Sequence, residues 1–469
     1  MIARYSTPRM RALWSDETRL RVWIAVEITA AAAMERAGDV PPGTAAACAR
    51  GISWPAPDLA QAWRLDDLLA LPLPFGPDAV AARERETRHD VLAFLNLLEA
   101  ASGPSGRWLH RGLTSSDLLD TGTAFLLARA GGFLTEGLDG LAQALADEAE
   151  RHKNVLTMGR SHGVHAEPTS FGRKLAGFYA ETVRSRERVA RAGQRSAHGK
   201  IAGSVGNHAH VSAEVEESTL AAFGLAPEPC ATQVVPRDRH AEMVLAIALA
   251  GSGLDRLATE IRLLQRTETG EAREPFAPGQ KGSSSMPHKK NPVRMEQTTG
   301  IARLLRSYAA PALEDVVLWH ERDISHSSVE RVILPDATTL LDYAVTGMTE
   351  AVRGLVVDAE RMRKNVDADG GVFFSQRLLT ALVDKGLGRD EAYEVVQRLA
   401  FRATEERQDF AEVARAEKVV RERLSEGDLA RVFDLNAYLR GTEVAWRRLG
   451  WAEAPEPAAA APAAGKRSR

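Results

Sequence analysis

The sequence has very few of the residues that build disulfide frameworks and metal clusters. Cys48 and Cys230 are the only cysteines among 469 residues. Two thiols this far apart in the chain exclude a disulfide scaffold and a cysteine-rich zinc site, and they are typical of a protein from a reducing compartment. We therefore expect both thiols to be inert.

The chain also lacks long apolar runs and an excess of one charge. No stretch reaches the roughly 18 apolar residues of a membrane helix, and the N-terminus has no basic segment followed by an apolar one. The formal charge is -3, with 60 Lys and Arg against 63 Asp and Glu. This balance gives no electrostatic reason to expect nucleic-acid or membrane partners. We expect a soluble cytoplasmic protein.

The motifs that bind common cofactors are missing as well. There is neither a Gly-x-Gly-x-x-Gly fingerprint nor a phosphate-loop lysine motif, so dinucleotide and nucleoside-triphosphate chemistry has no support. The spacing of His162 and His165 suggests a metal site, but no third and fourth ligand follow at zinc-like distances. We predict that the protein uses no cofactor and no metal.

What the chain has in abundance is helical periodicity. At this length we expect more than one domain, and helix formers dominate while strand-like alternation is scarce. The fold class we predict is all-α, with three helical domains around a central bundle of long helices. Long helices are predicted at 117–152, 171–195 and 329–362, the last of them kinked or restarted at Pro335.

One apolar stripe has coiled-coil spacing. We call it the seam, and its members alternate four and three residues apart: Met243, Ile247, Ala250, Leu254, Leu257, Ile261 and Leu264. Such a stripe packs against another long helix, in the same chain or in a neighbouring subunit.

The predicted domain boundaries follow these patterns. They are an N-terminal helical domain at 1–113, the central bundle at 114–364, a C-terminal helical domain at 365–450 and a disordered Ala/Pro-rich tail at 451–469. The Pro- and Leu-rich stretch between Trp54 and Pro77 is predicted to be a surface insertion without chemistry.

Polar residues are concentrated in a segment that cannot be a helix interior. Glycines and prolines bracket three serines, two lysines and an asparagine between Gly282 and Pro292. A mobile loop of this composition can close over an anionic ligand with backbone donors, hydroxyls and cations. A flexible polar linker has a similar composition, so the loop alone does not decide between the two.

Four further segments combine histidine, serine and cations, and each precedes or interrupts a helix. They are Arg88–Asp90, His110–Asp117, Gly159–Pro168 and Trp319–Arg331. Histidine transfers protons near neutral pH, and arginine suits carboxylate or phosphate. With few free carboxylates, the set favours an anionic substrate and disfavours a glycosidase, which needs two opposed carboxyl groups.

Together these segments resemble the adenylosuccinate lyase branch of the fumarase/aspartase superfamily. The loop from Gly282 to Pro292 is similar to the superfamily's signature loop. The other motifs that carry the resemblance are Arg4-Tyr5, Thr87–Asp90, Gly159–Pro168, Thr232-Gln233 with Arg237–His240, and Trp319–Arg331. The resemblance covers about residues 1 to 450 in consistent order. It implies a helical homotetramer, in which each active site combines segments of three chains and the seam packs in the intersubunit bundle.

The resemblance also implies a reaction and its residues. The family eliminates fumarate from a succinylated purine nucleotide. Ser283 would be the general base and His162 the general acid, Lys289 would stabilise the developing charge, and Glu296 would orient His162. Substrate contacts would come from Arg4, Tyr5, Arg88, His89, Asp90, His110, Thr114, Ser115, Gln233, Ser284, Asn291, Arg322, Ser327 and Arg331. His165, His320 and His326 would be supporting residues.

Two alternatives stay open at this point. The chain departs from the branch in the Trp54–Pro77 stretch and in Asn207–His210, so a lyase for a succinylated purine analogue, or another lyase of the superfamily, fits the same chemistry. A non-catalytic structural tetramer is the other alternative. It would have no reason to keep Ser283, His162 and Lys289 together.

Overall fold

The computed structural model describes residues 2–452, and within them the chain is mostly helical, which confirms the predicted all-α class. The α-helices are α1 (Pro8–Leu13), α2 (Asp16–Ala37), α3 (Thr44–Gly51), α4 (Leu65–Ala70), α5 (Pro77–Thr87), α6 (Asp90–Ser102), α7 (Ser115–Arg151), α8 (Phe171–Ser196), α9 (Ala213–Ala221), α10 (Asp238–Gln265), α11 (Val293–Ser307), α12 (Ala309–Glu314), α13 (Ser325–Arg353), α14 (Ala359–Asp367), α15 (Ser375–Asp384), α16 (Arg389–Glu406), α17 (Phe410–Ala416), α18 (Lys418–Arg423), α19 (Glu426–Val432) and α20 (Arg440–Arg448).

The strands are short and pair in twos. They are β1 (Leu156–Ser161), β2 (Val164–Ser170), β3 (His198–Gly199), β4 (Ala226–Pro227), β5 (Ala272–Arg273) and β6 (Val356–Val357). The pairs β1–β2 and β5–β6 are antiparallel, and β3–β4 is parallel. Within residues 2–452, no helix is long and apolar enough to cross a membrane.

The chain divides into two compact units. Among the described residues, unit 1 comprises 2–141, 182–259 and 293–350, and unit 2 comprises 142–181, 260–292 and 351–452. Unit 1 has a buried cluster around Leu127, Val244 and Ile333. Unit 2 is built on a larger cluster from its C-terminal helices, including Phe374, Leu378, Leu399 and Phe410. The three-domain boundaries stay a prediction.

Local sequence sets where the long helices begin and end. The Ser15 side chain accepts a hydrogen bond from the backbone of Thr18 at the start of α2, and Gly38, with φ of 81°, ends that helix in the left-handed conformation that glycine adopts at least cost. The helices predicted at 117–152 and 171–195 correspond to α7 and α8. The helix predicted to continue to Met362 instead ends at Arg353, because Gly354 and β6 interrupt it before α14.

Pro335 does not restart α13, which continues through it. The seam of α10 is buried within the single chain, with every member at most 4% exposed. The implied packing of this stripe against another subunit is therefore wrong, because residues of the same chain already cover it.

The stretch between Trp54 and Pro77 is mostly exposed or half-buried, as predicted, but a few of its apolar side chains anchor it to the core. Trp54 and Leu68 are buried, and the indole nitrogen of Trp63 donates to the hydroxyl of Thr29 on α2 at 3.0 Å. Of the predicted tail, Trp451 packs at 5.3 Å from the ring of Trp446, which corrects the boundary at that residue. The rest of the predicted tail, 453–469, lies outside the described residues.

Candidate active site

The segment predicted to carry the general acid forms a β-hairpin in unit 2. Ser161 pairs with Val164, which leaves His162 and Gly163 as a two-residue turn. Both have positive φ, 55° and 79°, as the I′ turn favoured in tight hairpins requires. His162 is exposed at the tip of this hairpin. The sequence predicts a polar segment that leads into a helix here, and it does not predict the two strands, because a bulge and a turn interrupt any apolar alternation.

A bulge and a buried ion pair fix the first strand. The register shifts between Met158 and Arg160, and a Cβ on the intervening Gly159 would stand 2.6 Å from the carbonyl oxygen of Glu167, so glycine is required there. The Arg160 guanidinium then donates to both oxygens of the fully buried Glu271, at 3.0 and 2.6 Å. These two hydrogen bonds fix both the distance and the orientation of β1 relative to Glu271.

Glu271 is ionised in this setting. Burial alone would raise the pKa of this carboxyl, but hydrogen bonds from Arg160, Asn365 and Thr157 outweigh burial and hold its pKa below the usual value. The second strand is held separately, by His165, whose Nδ1 stands 2.6 Å from a carboxylate oxygen of Asp369. Both strands next to His162 therefore have a carboxylate partner.

The serine-rich loop folds back on itself in unit 2. The backbone amides of Ser285 and Met286 donate to Oγ of Ser283 at 3.3 and 3.1 Å. The Asn291 side chain donates to the carbonyl of Gly282 at 2.9 Å, and a Cβ at Gly282 would stand 2.1 Å from the carbonyl of Lys289. Ser284 and Lys289 are exposed. The loop thus presents a hydroxyl that already accepts two backbone hydrogen bonds.

In unit 1, the predicted carboxylate-binding residues lie at the N-terminus of α7. Asp117 accepts the backbone amide of Thr114 at 2.8 Å, one residue before Ser115 begins the helix. The same carboxylate forms a fully buried ion pair with Lys200 and accepts the amide of Ala202 at 3.0 Å. A helix N-terminus supplies free backbone donors to anions, and this ion pair fixes its geometry.

His110 precedes that helix and has a buried carboxylate partner. Its backbone amide and its Nδ1 approach the two oxygens of Glu27 at 2.8 and 2.7 Å. Burial disfavours the charged imidazole, but the charge and hydrogen bond of Glu27 outweigh burial, so the pKa of His110 lies above its usual value. Glu27 is fully buried. Sequence reasoning missed it, although it is the only charged residue between Arg21 and Glu35.

Three of the predicted substrate-binding residues line a cavity in unit 1, whereas Arg4, Tyr5, Arg88, His89, Asp90 and Gln233 are not among its lining residues. The cavity has a volume of about 490 Å³ and is lined by residues from α1, α2, α7 and α13, including Ser327 and Arg331, and by Arg322 on the loop before α13. The guanidinium of Arg331 donates to Asp90 at 2.5 Å, and that of Arg322 donates to the side-chain oxygen of Gln233 at 3.0 Å. The structure therefore joins four of these predicted residues in pairs.

Burial would raise the pKa of Asp90, but the hydrogen bond and charge of Arg331 outweigh it and lower that pKa. Arg88 follows α5 as its C-cap, with φ of 51°, and His89 is the N-cap of α6, where its side chain accepts a hydrogen bond from the amide of Leu92. Arg4 is exposed, and the Tyr5 ring lies 5.6 Å from that of Tyr343. Glu296 is exposed in the first turn of α11.

A network of buried charges lines one side of the cavity. The guanidinium of Arg237 donates to both oxygens of Asp120 at 2.9 and 2.8 Å, and Nδ1 of His240 stands 2.6 Å from an oxygen of Glu330. Asp315 is buried nearby. Burial, together with the charge of Glu330, raises the pKa of Asp315 to about 6. Across residues 2–452, no group of three or more His, Cys, Asp and Glu side chains could hold a metal ion.

The chain is similar to known proteins over most of its length. Residues 3–305 match the family described as lyase, and residues 371–449 match the family described as adenylosuccinate lyase C-terminus. The adenylosuccinate lyase of Thermotoga maritima is 43% identical over 448 residues, 96% of this chain and 99% of that protein. The adenylosuccinate lyase of Bacillus subtilis is 41% identical over 452 residues, 96% of this chain and 100% of that protein.

Two solved structures extend the comparison to the fold. A fumarate lyase from Mesorhizobium sp. BNC1 superposes with a TM-score of 0.83 at 25% identity, covering 96% of this chain and 99% of that one. A 3-carboxy-cis,cis-muconate lactonizing enzyme from Pseudomonas putida has a TM-score of 0.83 at 28% identity, covering 95% of this chain and 96% of that one.

Proposed function

Since this chain belongs to the adenylosuccinate lyase family, we propose that it releases fumarate from adenylosuccinate, giving AMP, and from succinylaminoimidazole carboxamide ribotide, giving the carboxamide. The bond between a succinyl carbon and nitrogen breaks, its electron pair goes to nitrogen, and a proton leaves the neighbouring carbon. Because that carbon is a weak acid and its carbanion places charge on a carboxylate, catalysis needs a strong base and fixed positive groups.

The observation that carries the proposal is the hydrogen bonding of Ser283. Its Oγ accepts amides from Ser285 and Met286, at 3.3 and 3.1 Å. A free serine hydroxyl is too weak an acid to act as an alkoxide at neutral pH. Two backbone donors, together with the charge of Lys289 and exclusion of water by loop closure, lower the cost of the alkoxide. Ser283 takes the carbon-bound proton, and Lys289 with Asn291 and Ser284 holds the charge that develops.

His162 gives its proton to the departing nitrogen. Its place on an exposed two-residue turn suits this role, since the imidazole extends from the hairpin while both strands are held behind it by Arg160–Glu271 and His165–Asp369. General acids of this kind contribute on the order of 10² to 10⁴ in rate. Glu296, exposed at the start of α11, orients the imidazole in the assembled enzyme.

The remaining residues bind the two ends of the substrate. Thr114, Ser115 and His110 hold a succinyl carboxylate at the N-terminus of α7, where backbone donors and a histidine with a raised pKa favour an anion. The cavity takes the nucleotide, and arginines suit its phosphate. The residues assigned to the nucleotide are Arg4, Tyr5, Arg88, His89, Asp90, Gln233, Arg322, Ser327 and Arg331.

The catalytic segments are spread along the chain, and this dispersal supports a homotetramer whose active sites combine three subunits. A succinylated purine analogue is the second candidate substrate. The observation that favours it is local: a Cβ on Gly112, two residues before Thr114, would stand 2.8 Å from the carbonyl oxygen of His210, so the unusual Asn207–His210 segment adjoins the carboxylate site.

Turnover of adenylosuccinate by the Ser283→Ala variant tests the proposal. Because the base is lost, kcat should fall by about 10²- to 10⁴-fold or more. The ultraviolet absorbance change on fumarate release measures this turnover. Ser285→Ala is the matched control, since it removes a neighbouring loop hydroxyl and keeps its backbone donor. Unaltered turnover in Ser283→Ala would remove the base assignment. Release of fumarate from an analogue or from argininosuccinate, but not from adenylosuccinate, would overturn the substrate.

A further inference from the structure

Glu27 has no role in the chemistry described above, yet its environment is unusual. It lies in the interior of α2, fully buried, with no other charged residue between Arg21 and Glu35. A buried carboxylate is costly unless it is hydrogen-bonded. Both of its oxygens contact His110, one at the backbone amide and one at the ring.

These contacts fix the tautomer of His110. A carboxylate can only accept hydrogen bonds, so Nδ1 of His110, at 2.7 Å, carries a proton and donates it. The second oxygen of Glu27 accepts a hydrogen bond from the backbone amide of His110. The φ of His110 is 58°, which is uncommon for a residue other than glycine. Glu27 therefore holds both the backbone and the ring. Nε2 is the nitrogen left for a ligand.

His110 lies close in the chain to the residues proposed to bind the succinyl carboxylate. Three residues separate it from Thr114. Asp117, which accepts a hydrogen bond from the amide of Thr114, also favours the charged form of the imidazole. Asp117 is itself paired with Lys200. Glu27 and Asp117 are thus the charged groups that bear on His110 from α2 and α7, and both favour the imidazolium.

We propose that Glu27 is a positioning residue for fumarate release: it locks His110 with Nδ1 protonated and favours its cationic form, so that Nε2–H binds the succinyl carboxylate held at Thr114 and Ser115. The inference rests on the proposed function, which places the carboxylate there. Glu27 does not contact the substrate and acts through His110.

The first experiment measures His110 in the free enzyme. With ring-labelled histidine and the His110→Gln variant for assignment, ¹⁵N shifts of the wild-type protein should show the Nδ1–H tautomer at high pH. The proposal is overturned if the neutral ring carries its proton on Nε2. This readout needs no substrate, so it stands even if adenylosuccinate is not cleaved, which would refute the proposed function alone.

The second experiment is the Glu27→Gln variant, which keeps the side-chain shape and removes the charge. The pKa of His110 should fall, and KM for adenylosuccinate at neutral pH should rise about tenfold with kcat little changed, because a charged hydrogen bond to the substrate carboxylate is weakened. Because the imidazolium is lost at lower pH, the alkaline decline of kcat/KM should move to lower pH. An unchanged titration or an unchanged KM in a folded variant would overturn the inference.

Glu35→Gln is the matched control. Glu35 lies on the same helix and also accepts two hydrogen bonds, from the amides of Gly43 and Ala45. Its substitution should lower the melting temperature without moving KM or the His110 titration. If Glu27→Gln does not fold, Glu27→Asp provides the test. This variant keeps the charge, so the pKa of His110 should stay raised. Loss of the raised pKa in a folded Glu27→Asp variant would count against the proposal.

Discussion

At the scale of single residues, carboxylates beside histidines recur in this protein. His110, His165 and His240 each have a carboxylate oxygen at Nδ1, from Glu27, Asp369 and Glu330, at 2.7, 2.6 and 2.6 Å. In each case the carboxylate fixes the tautomer and leaves Nε2 for another partner. Sequence motifs identify the histidines, but their partners lie 83, 204 and 90 residues away along the chain.

Asp315 allows a prediction about stability and pH. It is buried beside Glu330, and burial raises its pKa to about 6. The folded state therefore binds a proton on the Asp315 carboxyl more tightly than the unfolded chain does. Its stabilising effect is present at acid pH and is lost as pH rises through about 6.

The Asp315→Asn variant should consequently melt several degrees higher than the parent at pH 8, and at nearly the same temperature at pH 4, where both side chains are neutral. Scanning calorimetry at the two pH values measures the difference. Asp323→Asn, at a half-buried carboxylate on the loop before α13, is the comparison variant. Equal gains at both pH values would show that the charge of Asp315 is not the cause.

At the scale of elements, the hairpin β1–β2 determines where His162 stands. Arg160 on β1 contacts Glu271, and His165 on β2 contacts Asp369, in the turn after α14. The two carboxylates hold opposite strands, so loss of either frees one side of the turn.

Asp369→Asn should therefore lower kcat about tenfold while KM changes little, because the acid is displaced and substrate contacts are kept. The solvent isotope effect on kcat should rise as proton transfer becomes rate-limiting. Asp367→Asn, two residues earlier in an exposed pair with Arg363 at 2.9 Å, should behave as the parent. Equal kcat in the two variants would show that Asp369 does not position the hairpin.

The elements also show how far sequence reasoning reaches. Apolar periodicity located α7, α8 and α10, because a helix that buries one face must repeat its apolar residues along that face. Apolar periodicity missed the hairpin β1–β2, because a bulge and a tight turn interrupt any apolar alternation along its strands. It placed the signature loop, but the hydrogen bonds that surround Ser283 depend on the path of the backbone.

At the scale of the whole molecule, α10 has a second apolar face. The seam is buried in its own chain, whereas Leu245, Leu249 and Leu263 are 39%, 50% and 48% exposed. Leucines one and several turns apart on a long helix form a surface that a second copy of the chain can cover. This face, and not the seam, is the one available to the proposed tetramer.

Leu249→Glu should accordingly dissociate the tetramer and abolish turnover, because each proposed active site draws on three subunits. Sedimentation velocity with the fumarate assay measures both. Phe401→Glu, at an exposed aromatic on α16, is the matched control and should leave both unchanged. A fully active Leu249→Glu monomer would refute shared sites.

A mutation of His162 in the hairpin turn can remove the proposed chemistry and leave the fold intact. Asparagine tolerates the left-handed backbone as well as histidine does, and a single nucleotide converts a histidine codon to an asparagine codon. Such an allele encodes a chain whose hairpin closes normally while its proposed proton donor is gone. Cellular quality control, which detects unfolded protein, has nothing to remove, so the defect persists as abundant, inactive enzyme.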